Sequence, residues 1–371
     1  MDVSSTCLLA ALPASGRCEL TPTVLLAATI KKQIFGIGLE SHDIPLGILG
    51  LSPAVNPNDP DIYPFVLDTM KAQGVIKSRA FSLDLRGVSE PEGAIIFGGL
   101  DTGKFIGTLE KLPMLRPSQS PSGADRYWIV LTGIGITLPD GTSDRSGEIE
   151  VAVFPDSGGT LSRLPTPIFQ AFGESFPGAL FDPQSGFYIV DCDVADQRGS
   201  VDFYFNNKRI AVAYADFIWQ VNSQACVLGV LPDDDEPVLG DSFLRAAYVV
   251  HDQDNRNLHM AQAASCGSNI VSIGSGSNAV PSVTGLCTAA PSATRTGFGL
   301  DATATRQPSN IFTGNSPDAT AVGPGPAGGR TSATAGALNP SGTGQSGAGQ
   351  SACLSVGFAA AVALAASVLM V

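Results

Sequence analysis

Histidine is nearly missing from this 371-residue chain. His42, His251 and His259 are the three present, in no spacing that a metal site uses. The sequence holds no H-E-x-x-H, no C-x-x-C and no phosphate-cradling G-x-x-x-x-G-K-[ST]. These absences argue against imidazole-dependent catalysis, a bound metal and nucleotide chemistry, so no cofactor is expected. Charge is also sparse, at 15% of residues, and mostly of one sign: 21 Lys and Arg stand against 34 Asp and Glu, a formal net charge of −13. A shortage of cations excludes a basic face for nucleic acid and fits a secreted protein working at mildly acidic pH. Aromatic residues make up 7%, and N-x-[ST] sequons without proline are absent.

What is abundant is punctuation, with 42 Gly and 26 Pro. Between these breaks run short β-type segments: Thr29–Gly38, Ala80–Leu85, Ala94–Gly98, Trp128–Leu131, Glu148–Phe154, Phe187–Val190, Val201–Phe205, Ile210–Val212 and Tyr248–His251. Regular short strands with few helices predict an all-β architecture. Two helices are expected. One covers Tyr63–Gln73, with Pro64 near its start and Gly74 at its stop; the other is capped by Thr166, with Pro167 at its first position. From 266 to 350 the composition turns to Ser, Thr, Gly, Ala and Pro, which predicts a disordered, O-glycosylated stalk that cannot bury a core.

The seven cysteines form no zinc pattern, leaving disulfides in an oxidising compartment or buried thiols. Cys192 and Cys226 would close a loop of about 35 residues, worth roughly 3–4 kcal/mol. Partners for Cys7, Cys18, Cys266 and Cys287 cannot be read from spacing. Residues 351–371 end in an uncharged apolar run from Leu354, preceded by small polar residues. That order is a glycosylphosphatidylinositol attachment signal, with Ser341, Gly342, Ser346 and Gly347 as candidate sites; a transmembrane helix is the alternative. At the other end, Asp2 and the short apolar run Leu8–Leu12 make a poor signal peptide.

The most informative segment is Val151-Ala152-Val153-Phe154-Pro155-Asp156-Ser157-Gly158-Gly159-Thr160. An apolar run delivers the Asp156 carboxylate onto a Gly-rich turn, and a second apolar run leaves it. Val238-Leu239-Gly240 supplies an apolar–apolar–Gly element that could back this turn, and Ile48-Leu49-Gly50 repeats the pattern earlier in the chain. Together with Ser78–Leu83, Phe97–Phe105, Tyr127-Trp128, the Cys192/Cys226 pair and Gly240–Arg245, these stretches resemble the pepsin-like aspartic proteases, particularly fungal yapsin-type members with a lipid anchor. The resemblance covers about residues 28–285.

The resemblance implies a bilobal pepsin-like fold: residues 1–27 unassigned, 28–115 a partial first lobe, 116–265 a second lobe, then stalk and anchor signal. It implies an aspartic endopeptidase of the fungal cell surface, monomeric, acting on polypeptides and held to the membrane by its anchor. Asp156 is the catalytic carboxylate, Ser157, Gly158, Gly159 and Thr160 its turn, and Val238, Leu239 and Gly240 the supporting loop. Asp156 precedes Gly240 by 84 residues (240 − 156), so a matching aspartate for Gly50 is expected about 34 residues ahead of Met1 (84 − 50), with the substrate flap.

Asp101-Thr102-Gly103 spells the same motif, but follows the Gly50 element and carries Lys104 where the family has Ser or Thr. It is read as a structural turn. Two departures stand at the main motif: Gly159 replaces a Ser or Thr whose hydroxyl bonds the carboxylate, and Pro155 removes a strand N–H. A non-catalytic surface protein on a degenerate protease scaffold is the competing reading; a homodimer pairing two copies of Asp156 is a third. The run Asp233–Glu236 is expected as a solvated loop, or as a source of substrate charge preference.

Overall fold

The computed structural model describes residues 17–20, 23–25, 28–36, 48–56, 58–59, 62–88, 90, 92–176, 178–222, 225–289 and 367–370. Within them the chain is all-β with short helices. Its widest sheet has six strands, in the order Ser367–Met370, Ala94–Phe97, Ala80–Asp84, Ala247–Asp252, Asn257–Gln262 and Glu110–Pro113. The central strands are buried along their whole length; Ala80–Asp84 and Ala247–Asp252 expose neither face, and their β-branched and aromatic side chains fill both.

This sheet draws strands from both sides of residue 115. Strands from 80–113 pair directly with strands from 247–262, Phe81 lying opposite His251 and Lys111 opposite His259. Long-range pairing, which composition cannot encode, joins segments well over a hundred residues apart in one layer.

Three smaller sheets carry residues 129–239. One holds Ile129–Leu131, Val151–Pro155, Val238–Leu239, Ser162–Leu164 and Val230–Pro232. A second holds Ser143–Arg145, Gly133–Thr137, Ser200–Phe205 and Lys208–Ala213; a third holds Leu180–Asp182, Phe187–Val190, Ala225–Leu228 and Ile218–Asn222. Trp128, Phe172, Phe203, Phe205, Phe217 and Phe243 are fully buried among them. Cys192 and Cys226 are joined, tying the third sheet to the 3-10 turn Cys192–Asp196, and Cys266 is joined to Cys287.

The expected Thr29–Gly38 strand is two, Ala28–Ile30 and Gln33–Gly36, because Lys32 adopts φ of +59° between them. The first helix is Val66–Ala72. The second, Thr166–Ser175, starts at Thr166 instead of being capped by it: Thr166 donates from both N and Oγ1 to Asp234, which serves the helix start from a distant loop.

Folded structure also runs past the boundary expected at 266. Ile270–Ser272 pairs with Gly99–Asp101, and Thr284–Leu286 with Ile106–Thr108. Ile273, Ala279 and Val280 are buried against Phe105, Tyr248, Val250 and Ala261. A few small apolar residues suffice here because the partner sheet supplies the aromatics and the Cys266–Cys287 bond closes the loop. Residues 290–350 lie outside the described residues.

Candidate active site

The Val151–Pro155 strand lies between Ile129–Leu131, antiparallel, and Val238–Leu239, parallel. Pro155 costs the ladder no bond to Val238–Leu239. The N–H groups of Phe154 and Asp156 donate to Pro237 and Leu239 carbonyls at 3.3 and 3.0 Å, so the strand pairs through alternate residues. Pro155 also lies beyond Val153, which takes the last pairing with Ile129 on the other side. Trp128 meets Phe154 edge to face at 4.6 Å and Arg126 covers the same ring, fixing the base of the strand.

The chain then turns. Gly159 N–H donates to the Asp156 carbonyl at 3.2 Å and Gly158 N–H to Asp156 Oδ1 at 2.9 Å. Asp156 is half-buried, and Ser157, Gly158 and Thr160 are exposed. Among the described residues, Gly158 N–H is the hydrogen-bond donor to this carboxylate.

The turn is locked from behind by the Val238-Leu239-Gly240 element. Asp241 N–H donates to Gly159 O at 2.7 Å and Ser242 N–H to Thr160 O at 3.1 Å. A Cβ on Gly240 would stand 2.5 Å from Gly159 O and 2.6 Å from Leu161 O, so glycine is required by close backbone approach. Two buried serines complete the lock. Ser242 Oγ donates to Gly229 O at 2.6 Å; Ser162 Oγ lies 2.9 Å from Ser242 Oγ and accepts from Gly240 N–H at 3.2 Å. Sequence reasoning missed both, although each sits close to a quoted motif, six residues after Asp156 and two after Gly240.

Asp241 adds an electrostatic feature. Burial pushes its carboxyl up to about 7, with Asp156 raising it further and Arg245 pulling it down, and its Oδ1 is buried with no hydrogen-bond partner. The acidic run Asp233–Glu236 is bound into the same end of the sheet. Asp233 pairs with Arg163 at 3.2 Å and Glu236 with Arg126 at 3.7 Å. Thr166's donors hold Asp234 below the usual carboxylate range.

Asp101 is not brought to this site. It is 3% exposed and caps the 3-10 turn Thr102–Lys104, accepting from Gly103 N–H at 2.9 Å, Asn269 N–H at 2.6 Å and Ser268 Oγ at 2.6 Å. Its own N–H donates to Tyr248 Oη. Ile48 and Leu49 are 54% and 42% exposed, whereas Val238 and Leu239 are 1% and 0%. Among the described residues, nothing lies within 4 Å of where a Cβ on Gly50 would stand. Ser341, Gly342, Ser346 and Gly347 lie outside the described residues. Among the described residues no group of His, Cys, Asp and Glu could hold a metal, and no helix is long and apolar enough to cross a membrane.

A single carboxylate on an Asp-Ser-Gly turn, interlocked with an apolar–apolar–Gly strand in an all-β body, defines the class. A model of the eukaryotic aspartyl protease family matches residues 22–263, and the chain belongs to that family. It is 35% identical over 286 residues to a probable aspartic-type endopeptidase OPSB of Arthroderma benhamiae, covering 71% of this chain and 57% of that protein. It is 32% identical over 237 residues to the aspartic proteinase yapsin-3 of Saccharomyces cerevisiae, covering 62% and 45%. The chain thus spans about half the length of these curated relatives. In fold it is similar to the crystal structure of an aspartic proteinase from Irpex lacteus, with a TM-score of 0.52 and 22% identity over 65% of this chain and 76% of that one.

Proposed function

We propose that this protein is an aspartic endopeptidase in which Asp156 is one of two carboxylates that activate a water molecule. The observation that carries the reading is the interlock just described: buried strands hold a half-buried carboxylate on a rigid, solvent-facing turn. Two such carboxylates within hydrogen-bonding distance cannot both ionise readily and share one proton. The ionised member takes a proton from water, the other donates to the scissile carbonyl, and the bond is hydrolysed without a covalent intermediate. Ile48-Leu49-Gly50 is the seat we assign to the second carboxylate turn. It repeats the pattern of Val238-Leu239-Gly240, and among the described residues nothing crowds Gly50 where Gly240 is crowded.

The finer reading is a surface enzyme, monomeric, held by a lipid anchor and acting on polypeptides in mildly acidic surroundings. The acidic composition, the two disulfides and the apolar terminus support it. A competing reading, a non-catalytic scaffold, is favoured by one observation: Gly159 offers the carboxylate no hydroxyl.

Protein released from intact cells by a phosphatidylinositol-specific phospholipase should cleave denatured casein at acidic pH, and pepstatin should block it. Asp156→Asn should lower kcat roughly a thousandfold with an unchanged melting transition. Failure of release removes the anchor alone. Release without cleavage removes the protease reading and leaves the scaffold.

A further inference from the structure

Far from Asp156 in the sequence, the segment 270–287 straps the outer face of the six-stranded sheet and leaves a cavity of about 200 Å³ at one end. Its sheet side is formed by Lys111, His259 and Asp252, its strap side by Ser277, Asn278 and Ser282 among others. The register explains the grouping. His259 lies directly opposite Lys111 on one neighbouring strand and Val250 on the other, and Val250 is buried beneath the strap, so the imidazole and ammonium share the covered face.

Three features give this cavity a chemistry. His259 Nε2 is buried with no hydrogen-bond partner among the described residues, so a group that bonds it would remove a desolvation cost. Lys111 stands beside it without an ion pair among the described residues, a like-charge neighbour that opposes imidazole protonation. The neighbouring carboxylate is already satisfied: Asp252 Oδ1 accepts from Asn255 N–H at 3.3 Å and Oδ2 from Asn255 Nδ2 at 2.8 Å. Thr108, Leu109 and the strap residues 277–283 bring no charge to the lining. The lining also holds no Phe, Tyr or Trp ring on which a sugar or base could stack.

We propose that this cavity binds a small oxyanion, phosphate or carboxylate, held between Lys111 Nζ and His259 Nε2, with the strap hydroxyls and amide as further donors. An anion between the two cations turns their repulsion into attraction, so binding is coupled to proton uptake by His259. Burial and Lys111 hold free His259 down to about 4. Burial, and after it Asp254, holds the Asp252 carboxyl above the usual carboxylate range against the pull of Asn255 and Lys111, so its opposition to an anion weakens as the pH falls. Affinity should therefore strengthen as the pH falls.

The test is titration of the full chain with inorganic phosphate and, separately, with succinate, at about pH 4.5 and about pH 7. It is followed by the NMR signals of the His259 ring and by calorimetry. The site predicts saturable binding of at least one anion, about tenfold tighter at the lower pH, with the His259 titration moved upward by the ligand. Preference between the two probes identifies the source of the oxyanion. Lys111 is exposed, so Lys111→Gln should fold normally and weaken binding about tenfold, while His259→Gln should abolish the tightening at the lower pH. Absence of saturable binding by either anion, or binding unchanged in Lys111→Gln, overturns the proposal.

Discussion

Gly159 leaves room for a side chain: a Cβ there would meet only Asp156 O at 3.7 Å and Leu161 O at 3.8 Å, ordinary contact distances. Gly159→Ser is therefore expected to change stability by no more than about 0.5 kcal/mol. It adds a hydroxyl to the turn on which Gly158 N–H donates to the Asp156 carboxylate. On the protease reading, turnover of a peptide substrate should rise about tenfold, the worth of one charge-assisted hydrogen bond in the transition state; kinetics at acidic pH check it. At this scale the sequence was informative where the chemistry is local. Asp156, its turn and Gly240 are separate short patterns, and each can be read without knowing what it touches. Ser162 and Ser242 could not be read, because a serine's role here depends on a contact 80 residues away in the chain.

The strap shows the same distinction for elements. Residues 267–289 have the composition of a linker, yet they are ordered by strand pairing, the Cys266–Cys287 closure and the buried Asp101 carboxylate. Local composition reports how much apolar surface a segment brings, not how much its partner supplies. Asp101→Ala would strip the acceptor from the buried Gly103 N–H and from the part-buried bonds of Asn269 N–H and Ser268 Oγ, at a cost of about 1–3 kcal/mol. Hydrogen exchange should accelerate across 268–286 while the Val151–Ser162 amides stay protected. Equal acceleration in both regions would mean that the strap is no separate unit.

For the molecule as a whole, buried titratable groups set opposing limits on pH. Burial pushes Asp84 up to about 6 despite its bond from Arg86, and Asp241 up to about 7. Carboxyls raised in the fold contribute stability that is fully present below their ordinary value of 3.8 and is lost as pH rises through 6 to 7. His251, stacked on Phe81, is held down to about 3 and His259 to about 4; their contribution is present above 6.5 and is lost as pH falls through those values. The two carboxyls lose with rising pH about what the two imidazoles gain, so urea midpoints measured from pH 3 to 8 should form a broad plateau from about pH 4 to 7. A midpoint still climbing through pH 7 would contradict the burial of the two carboxyls. None of this was legible in a sequence that contains three histidines scattered without pattern, since burial is a property of the assembled sheet.

The Cys266–Cys287 closure also decides how the body answers a pull. Tension entering the chain beyond residue 289 arrives first at Cys287 and crosses the sulfur bridge to Cys266. Residues 267–286 are bypassed, so the Thr284–Leu286 and Ile270–Ser272 ladders are not unzipped one bond at a time. The load passes instead to Ala263 and the Asn257–Gln262 strand, which is paired on both sides and must be sheared out of a six-stranded sheet. Reducing the bridge would return the load to residues 267–286 and their two short ladders.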